Sequence, residues 1–201
     1  IYLNGYLLLT KNKIKYNIKL GGNMIKVFTG PMFSGKSDEL LKEYDRKYHK
    51  SKILLFKPQI DTRDYGVVKT RNGKEISAIL IKDIKDIKKH ITDKITTIFI
   101  DEANFLKGDV NILTELSINE DLDIFLAGLN MTSEQQPFGL MPEILAIADE
   151  IVIMHASCND CNRDAFYTYY DGKKTGDILV GNDNYLALCP RCLRKRLNEK
   201  R

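Results

Sequence analysis

No run of apolar residues in this 201-residue chain approaches the ~20 needed to cross a bilayer, so no stretch of it reads as a membrane span. Residues 1–23 lack the basic n-region and small-residue cleavage site of a secretory signal. Charge of neither sign dominates: 31 Lys and Arg stand against 27 Asp and Glu, a net +4. So small an excess demands neither nucleic acid nor a membrane surface as partner. No cysteine is left unpaired in the pattern, because the four form two CxxC pairs. That spelling argues against a secreted disulfide framework and for a metal site in a reducing, cytoplasmic compartment. Histidine is scarce, and of the three only His155 lies near a cysteine pair; it is read as incidental. An initial Met is also missing, and Gly21-Gly22-Asn23 stands directly before Met24. Residues 1–23 are therefore expected to be a dispensable extension, with the core beginning at Met24.

What is present suits an ordinary globular protein. At 43% hydrophobic and 29% charged, the chain supports one good core with a small appended module. The segment Ile25 to Ser37, IKVFTGPMFSGKS, is an apolar run that breaks at Gly30 and ends in Gly35-Lys36-Ser37. This is GxxxxGK[ST], a phosphate-binding loop made of Gly30, Pro31, Met32, Phe33, Ser34, Gly35, Lys36 and Ser37. Backbone N–H groups wrap a phosphate only where no Cβ intrudes, which is the reason for the two glycines. Lys36 brings a point charge to the β- and γ-phosphates, and the Ser37 hydroxyl is placed to ligate Mg²⁺.

Taken in order, the chain alternates strand and helix patterns. Residues 37–49 are expected to form an amphipathic helix, 52–57 (KILLFK) a buried strand, and 60–65 a polar loop. An Asn72-Gly73 turn and a strand over 75–81 follow, then a short helix over 84–91 and a strand over 97–100. Residues 105–116 read as helix, 123–129 as strand, 137–148 as helix and 150–154 as strand. All-apolar strands separated by helices mean a parallel sheet covered on both faces, an α/β fold that carries the phosphate loop. Composition changes from His155 onward to cysteine pairs, turns and Tyr-rich short strands. A domain boundary is expected there, giving 24–154 and 155–201.

Asp101-Glu102 closes an apolar strand, as a Walker B element does. Asp101 would sit in the Mg²⁺ shell opposite Ser37, and Glu102 is then the general base toward the γ-phosphate, whether on water or on a substrate hydroxyl. Asp61 and Arg63 form a second polar pair on the 60–65 loop, where a guanidinium suits phosphate oxygens. Cys158-x-x-Cys161 and Cys189-x-x-Cys192 are spaced to close a tetrahedral thiolate site for structural Zn²⁺.

Five blocks in order, FTGPMFSGKS, FKPQIDTRDY, IFIDEANF, AGLN with PFGLMPEILAIAD, and CNDC with GNDNY and CPRC, make the chain resemble the type II thymidine kinases. The resemblance runs from Met24 to about Lys195. It implies a RecA-like core with a zinc-held lasso, and transfer of the ATP γ-phosphate to the 5′-hydroxyl of thymidine or deoxyuridine with Mg²⁺, in a homotetramer. It further implies Glu102 as base, Arg63 beside the transferred phosphoryl group, and Asp61 and Asp101 supporting the metal. Met32, Phe105, Leu129 and Thr168 would wall the base, and Gly181, Asn182, Asp183, Asn184 and Tyr185 would close over it. Three positions depart from the family's usual spelling: Asp38 where Thr is usual, and Asn130 and Ser133 where Asp and Phe are expected. The last removes one stacking face, worth about 1 kcal/mol. The competing reading of the same motifs is a RecA-like ATPase with a zinc ribbon for nucleic acid.

Overall fold

The computed structural model describes residues 23–48, 52–60, 66–69, 73, 75–172 and 184–199. The expected N-terminal extension therefore lies outside the described residues, apart from Asn23. Six parallel strands form the central sheet: β1 (Ile25–Thr29), β2 (Lys52–Pro58), β5 (Ile79–Ile81), β6 (Ile95–Ile100), β7 (Asp123–Gly128) and β8 (Glu150–Ile153). Their order is β5-β2-β6-β7-β1-β8, with every pairing parallel. Because β7 lies between β1 and β6, the phosphate loop and the acidic pair leave the same sheet edge one strand apart. The carboxyl edge of such a sheet is where ligands collect.

Apolar strands without alternation are explained by cover on both faces. On one face Val27, Phe56, Ile98, Ile100, Ile124 and Leu126 pack with Leu113 and Leu116 of α2 (Asn111–Asn119) and Ile144 of α3 (Met141–Ala146). On the other, Phe28, Leu55, Phe99 and Phe125 pack under Leu40 and Leu41 of α1 (Lys36–Tyr48), with the Phe99 and Phe125 rings stacked at 5.0 Å. Helix α1 carries Asp38 and Glu39 in its first turn and Arg46 and Lys47 in its last, matching the helix dipole. Asp38, the unusual residue at the start of the helix, is thus an acid at the positive end.

Three expected elements differ from the structure. Residues 75–81 are two strands: Glu75–Ser77 (β4) pairs antiparallel with Val67–Lys69 (β3) in a hairpin, and only β5 joins the sheet. The break falls at Ala78, whose N–H donates to Gly66 O at 2.9 Å. Residues 105–116 are interrupted: a 3₁₀ turn spans Ala103–Phe105, and Gly108, at φ +105°, lets the chain pass against Asp83 before α2 starts. Of residues 137–148 only 141–146 are α-helical, since Pro137 bridges to Met131 and Gly139 holds φ +52°. The short helix over 84–91 is a 3₁₀ helix, Ile84–His90, started by a capping box at Asp83.

After β8 come β9 (Ala156–Ser157) paired with β10 (Asp164–Ala165), then β11 (Tyr167–Tyr170) paired with β12 (Tyr185–Leu188), and α4 (Pro190–Glu199). They share a small core of Ala156, Cys158, Ala165, Tyr169, Ala187, Leu188, Cys189 and Leu193.

Candidate active site

The phosphate loop leaves β1 in a conformation that only its sequence permits. Gly30 has φ +149°, and a Cβ there would lie 2.2 Å from Met154 O, so the loop can turn beneath the end of β8 only as glycine. Gly35 (φ +82°) and Phe33 (φ +66°) are also left-handed. Ser34 Oγ donates to Pro31 O at 2.9 Å, and the Lys36 ammonium bonds the same carbonyl at 2.7 Å.

The hydroxyl of Ser37 donates to the Asp101 carboxylate, 3.0 Å from each oxygen. The two residues come from different elements, Ser37 from the first turn of α1 and Asp101 from the end of β6, and both motif predictions therefore meet at one point. Asp101 is 5% exposed, and burial, followed by the charge of Glu102, pushes its carboxyl up to about 7 despite the opposing pull of Ser37 and Lys57. An acid so placed wants a cation, and a hydroxyl plus a carboxylate are the hard oxygen donors that Mg²⁺ prefers. Glu102 itself holds the left-handed conformation, φ 52° and ψ 41°, at the start of the 103–105 turn. A non-glycine residue held there costs of order 1–3 kcal/mol, and such outliers gather at functional sites.

The expected base-wall residues fall into two linked pairs. Met32 N–H donates to Thr168 Oγ1 at 2.9 Å, which joins the phosphate loop to β11 across 136 positions of sequence. Phe105 and Leu129 are joined by Asn104, whose Oδ1 accepts Leu129 N–H at 2.9 Å. The Phe105 ring meets Phe138 edge-on at 5.3 Å, so an aromatic from the 129–140 loop does face Phe105 although position 133 is serine. Tyr185 packs on Tyr170 with ring centres 4.9 Å apart, and Asn184 O accepts the N–H of Asp171 at 2.8 Å. Asp61, Arg63, Gly181, Asn182 and Asp183 lie outside the described residues.

The four cysteines converge. All four Sγ atoms lie within 4.8 Å of one another, and Cys161 and Cys189 are 3.6 Å apart. Thiolates around a tetrahedral Zn²⁺ at about 2.3 Å lie about 3.8 Å from each other, so the cluster fits that ion. The backbone N–H of Cys192 draws the Cys189 thiol down to about 7, whereas Cys192, bonded through its side chain to Cys161, is pushed up to about 12. Four crowded thiols cannot all ionise alone, and a dication is what would let them. His155 stands apart, its Nδ1 3.1 Å from Asp164 Oδ1, and among the described residues the metal-sized cluster contains cysteines only.

A family model described as thymidine kinase matches residues 23–193. The chain belongs to the thymidine kinase family. Thymidine kinase from Pseudothermotoga lettingae is 35% identical over 176 residues, covering 85% of this chain and 95% of that protein. Thymidine kinase from Mycoplasma mobile is 33% identical over 178 residues, covering 87% and 88%. Among solved structures, the Thermotoga maritima RuvB Holliday junction branch migration motor aligns with a TM-score of 0.39 and 14% identity. It covers 66% of this chain and 38% of that one. Family membership makes the protein a nucleotide-binding kinase. Among the described residues no helix is long and apolar enough to cross a membrane.

The motifs do not single out every residue that shapes this edge. Asn104 is 2% exposed and its backbone is wedged between two glycines, since a Cβ on Gly139 would lie 2.3 Å from Asn104 O and one on Gly128 3.1 Å from Asn104 N. Asn104 follows the acidic pair by two positions, and that adjacency was the only signal in the sequence.

Proposed function

We propose that this protein is an ATP-dependent thymidine kinase that transfers the γ-phosphoryl group to the 5′-hydroxyl of thymidine or deoxyuridine, yielding the monophosphate used in deoxynucleotide salvage. The observation that carries the reading is the Ser37–Asp101 contact at 3.0 Å with Glu102 beside it on a strained turn, at the open end of a phosphate loop. In this scheme the backbone of Gly30 to Ser37 and the Lys36 ammonium hold the β- and γ-phosphates. Lys36 exchanges Pro31 O and Ser34 Oγ for phosphate oxygens. Ser37 and Asp101 would hold Mg²⁺, which when bound would neutralise charge on the phosphates. Glu102 accepts the 5′-hydroxyl proton as that oxygen attacks phosphorus, and ADP leaves with the electron pair of the broken P–O bond. Asp61 is assigned beside Asp101 in support of the metal and its waters, and Arg63 to the transferring phosphoryl group.

The nucleoside is assigned to the space bounded by Met32 and Thr168 on one side and Phe105 and Leu129 on the other. The segment Gly181 to Tyr185 is assigned as its cover, and we read 24–154 and 155–201 as core and lasso domains. Cys158, Cys161, Cys189 and Cys192 would hold Zn²⁺, which would fix the base of that cover and lower the ordering cost of binding. Assembly as a homotetramer and a cytoplasmic location belong to the same reading.

Chromatographic product analysis with Mg-ATP and thymidine, deoxyuridine or buffer tests it. Formation of nucleoside monophosphate, with a loss of ~100-fold or more in Glu102→Gln, is the expected result. ADP formed equally with and without nucleoside would make the protein an ATPase and reject the reading.

A further inference from the structure

Lys57 is a lysine where a core residue is expected. It is the sixth residue of β2 and only 3% exposed. Lysine is almost never so buried unless its charge is answered. Leu55 belongs to the α1-side cluster and Phe56 to the opposite one, so alternation sends the Lys57 side chain to the α1 side. Phe99 and Ile100 alternate the same way on β6, which puts Asp101 on that side too. The strands are neighbours, with Phe56 opposite Ile100 and Asp101 N–H donating to Phe56 O at 3.1 Å. Lys57 and Asp101 thus leave adjacent strands at one level, on the face where Ser37 sits. The Lys57 ammonium donates to Val67 O at 3.2 Å, in the β3–β4 hairpin whose Val68 is buried in the same cluster.

We propose that Lys57 is a positioning residue of the phosphoryl-transfer site, the buried cation that balances the Asp101–Glu102 pair and fastens the β3–β4 hairpin beside it through Val67. The inference rests on the role given to Asp101 and Glu102 above. Its charge lies where two carboxylates meet a polyphosphate, and it keeps the acids in place before Mg-ATP arrives. The electrostatic influence of Lys57 on the Asp101 carboxyl accords with this placement.

The test is a thermal double-mutant cycle on the full zinc-loaded chain, without nucleotide or Mg²⁺, using Lys57→Met and Asp101→Asn. Lys57→Met should lower Tm by roughly 5 °C in the wild-type background and by less than about half of that beside Asp101→Asn, where only the bond to Val67 is left to lose. Equal losses in both backgrounds would mean that Lys57 serves the fold without reference to Asp101, and would overturn the proposal. If Lys57→Met does not fold, folding of the double variant supports the pairing and failure of both rejects it. In turnover, Lys57→Met should lose roughly 30-fold in kcat with KM for ATP and thymidine within about threefold. Val68→Ala, which loosens the hairpin without touching charge, should keep kcat within about threefold. A kcat for Lys57→Met no lower than that of Val68→Ala would also overturn the proposal. If the wild type phosphorylates no nucleoside, the kinase reading fails by itself, and the thermal cycle still decides whether Lys57 and Asp101 are a pair.

Discussion

The parallel-sheet core and the cysteine module are joined by the hydrogen bond from Met32 to Thr168, but different forces make each rigid. The core buries eighteen hydrophobic residues in the cluster on one sheet face and eight in the cluster on the other, and its loops are drawn tight by packing. Among the described residues the module buries eight, and two of these are cysteines of the metal cluster. So small an apolar core does not hold two short hairpins and a helix in register by burial alone. Polar ties add to it: the four clustered cysteines, and Arg196 of α4, which donates to Asp160 at 2.8 Å and to Asp171 at 3.2 Å. The two regions meet at the Met32–Thr168 hydrogen bond. Loss of order in the module should therefore reach the phosphate loop through that hydrogen bond, and leave the sheet standing.

Removing the metal breaks the comparison hardest. With a strong chelator, amide hydrogen exchange should rise throughout 156–170 and 185–199 while strands β1, β6 and β7 keep their protection, and phosphorylation of thymidine should cease. Simultaneous loss of protection in β1, β6 and β7 would show that the two regions fold as one unit. On the core side, Gly139→Ala places a Cβ 2.3 Å from Asn104 O at φ +52°. It should cost about 1–3 kcal/mol in urea denaturation, with a rise in KM for nucleoside larger than that for ATP.

The buried acid gives a gentler probe with a definite sign. The folded carboxyl of Asp101 sits near 7, above its ordinary value, so its contribution is fully present below about pH 4 and fades as pH rises through 7. Metal-free protein should accordingly lose Tm between pH 5.5 and 8, by roughly 5 °C from this group, and Asp101→Asn should flatten the slope. A slope unchanged by that substitution would place the titrating group elsewhere. Smallest is Arg196→Met, at a fork whose partners are a quarter to nearly half exposed. It should cost at most about 1 kcal/mol, read as faster zinc loss to a chelator with the melting of the core unchanged.

Much of this was legible in the chain because the chemistry depends on fixed local spacing. Gly30, Gly35, Lys36 and Ser37 spell one loop, and each CxxC pair spells one metal knuckle, whatever surrounds them. Strand existence was legible for the same reason at β1, β6 and β7, where continuous apolar runs have no other use. Boundaries were not. Glu75 to Ile81 looks uniform in sequence, yet an antiparallel hairpin and a parallel sheet divide it at Ala78, since both partners accept the same residue types. The 105–116 and 137–148 patterns hide Gly108 and Gly139, whose positive φ values are set by close approach to Asp83 and Asn104.

By itself, then, the sequence determined a phosphate loop, an acidic strand end, a four-thiolate cluster and the kinase family to which they belong, because each is a short-range arrangement of donor atoms. Only the tertiary structure decided that Ser37 touches Asp101, that Thr168 secures Met32, that Asn104 is clasped by two glycines and that Lys57 is buried on the face of the acids. Those pairings depend on strand order and on which way each pleat faces, and they are fixed by how layers pack over 25 to more than 130 residues of separation.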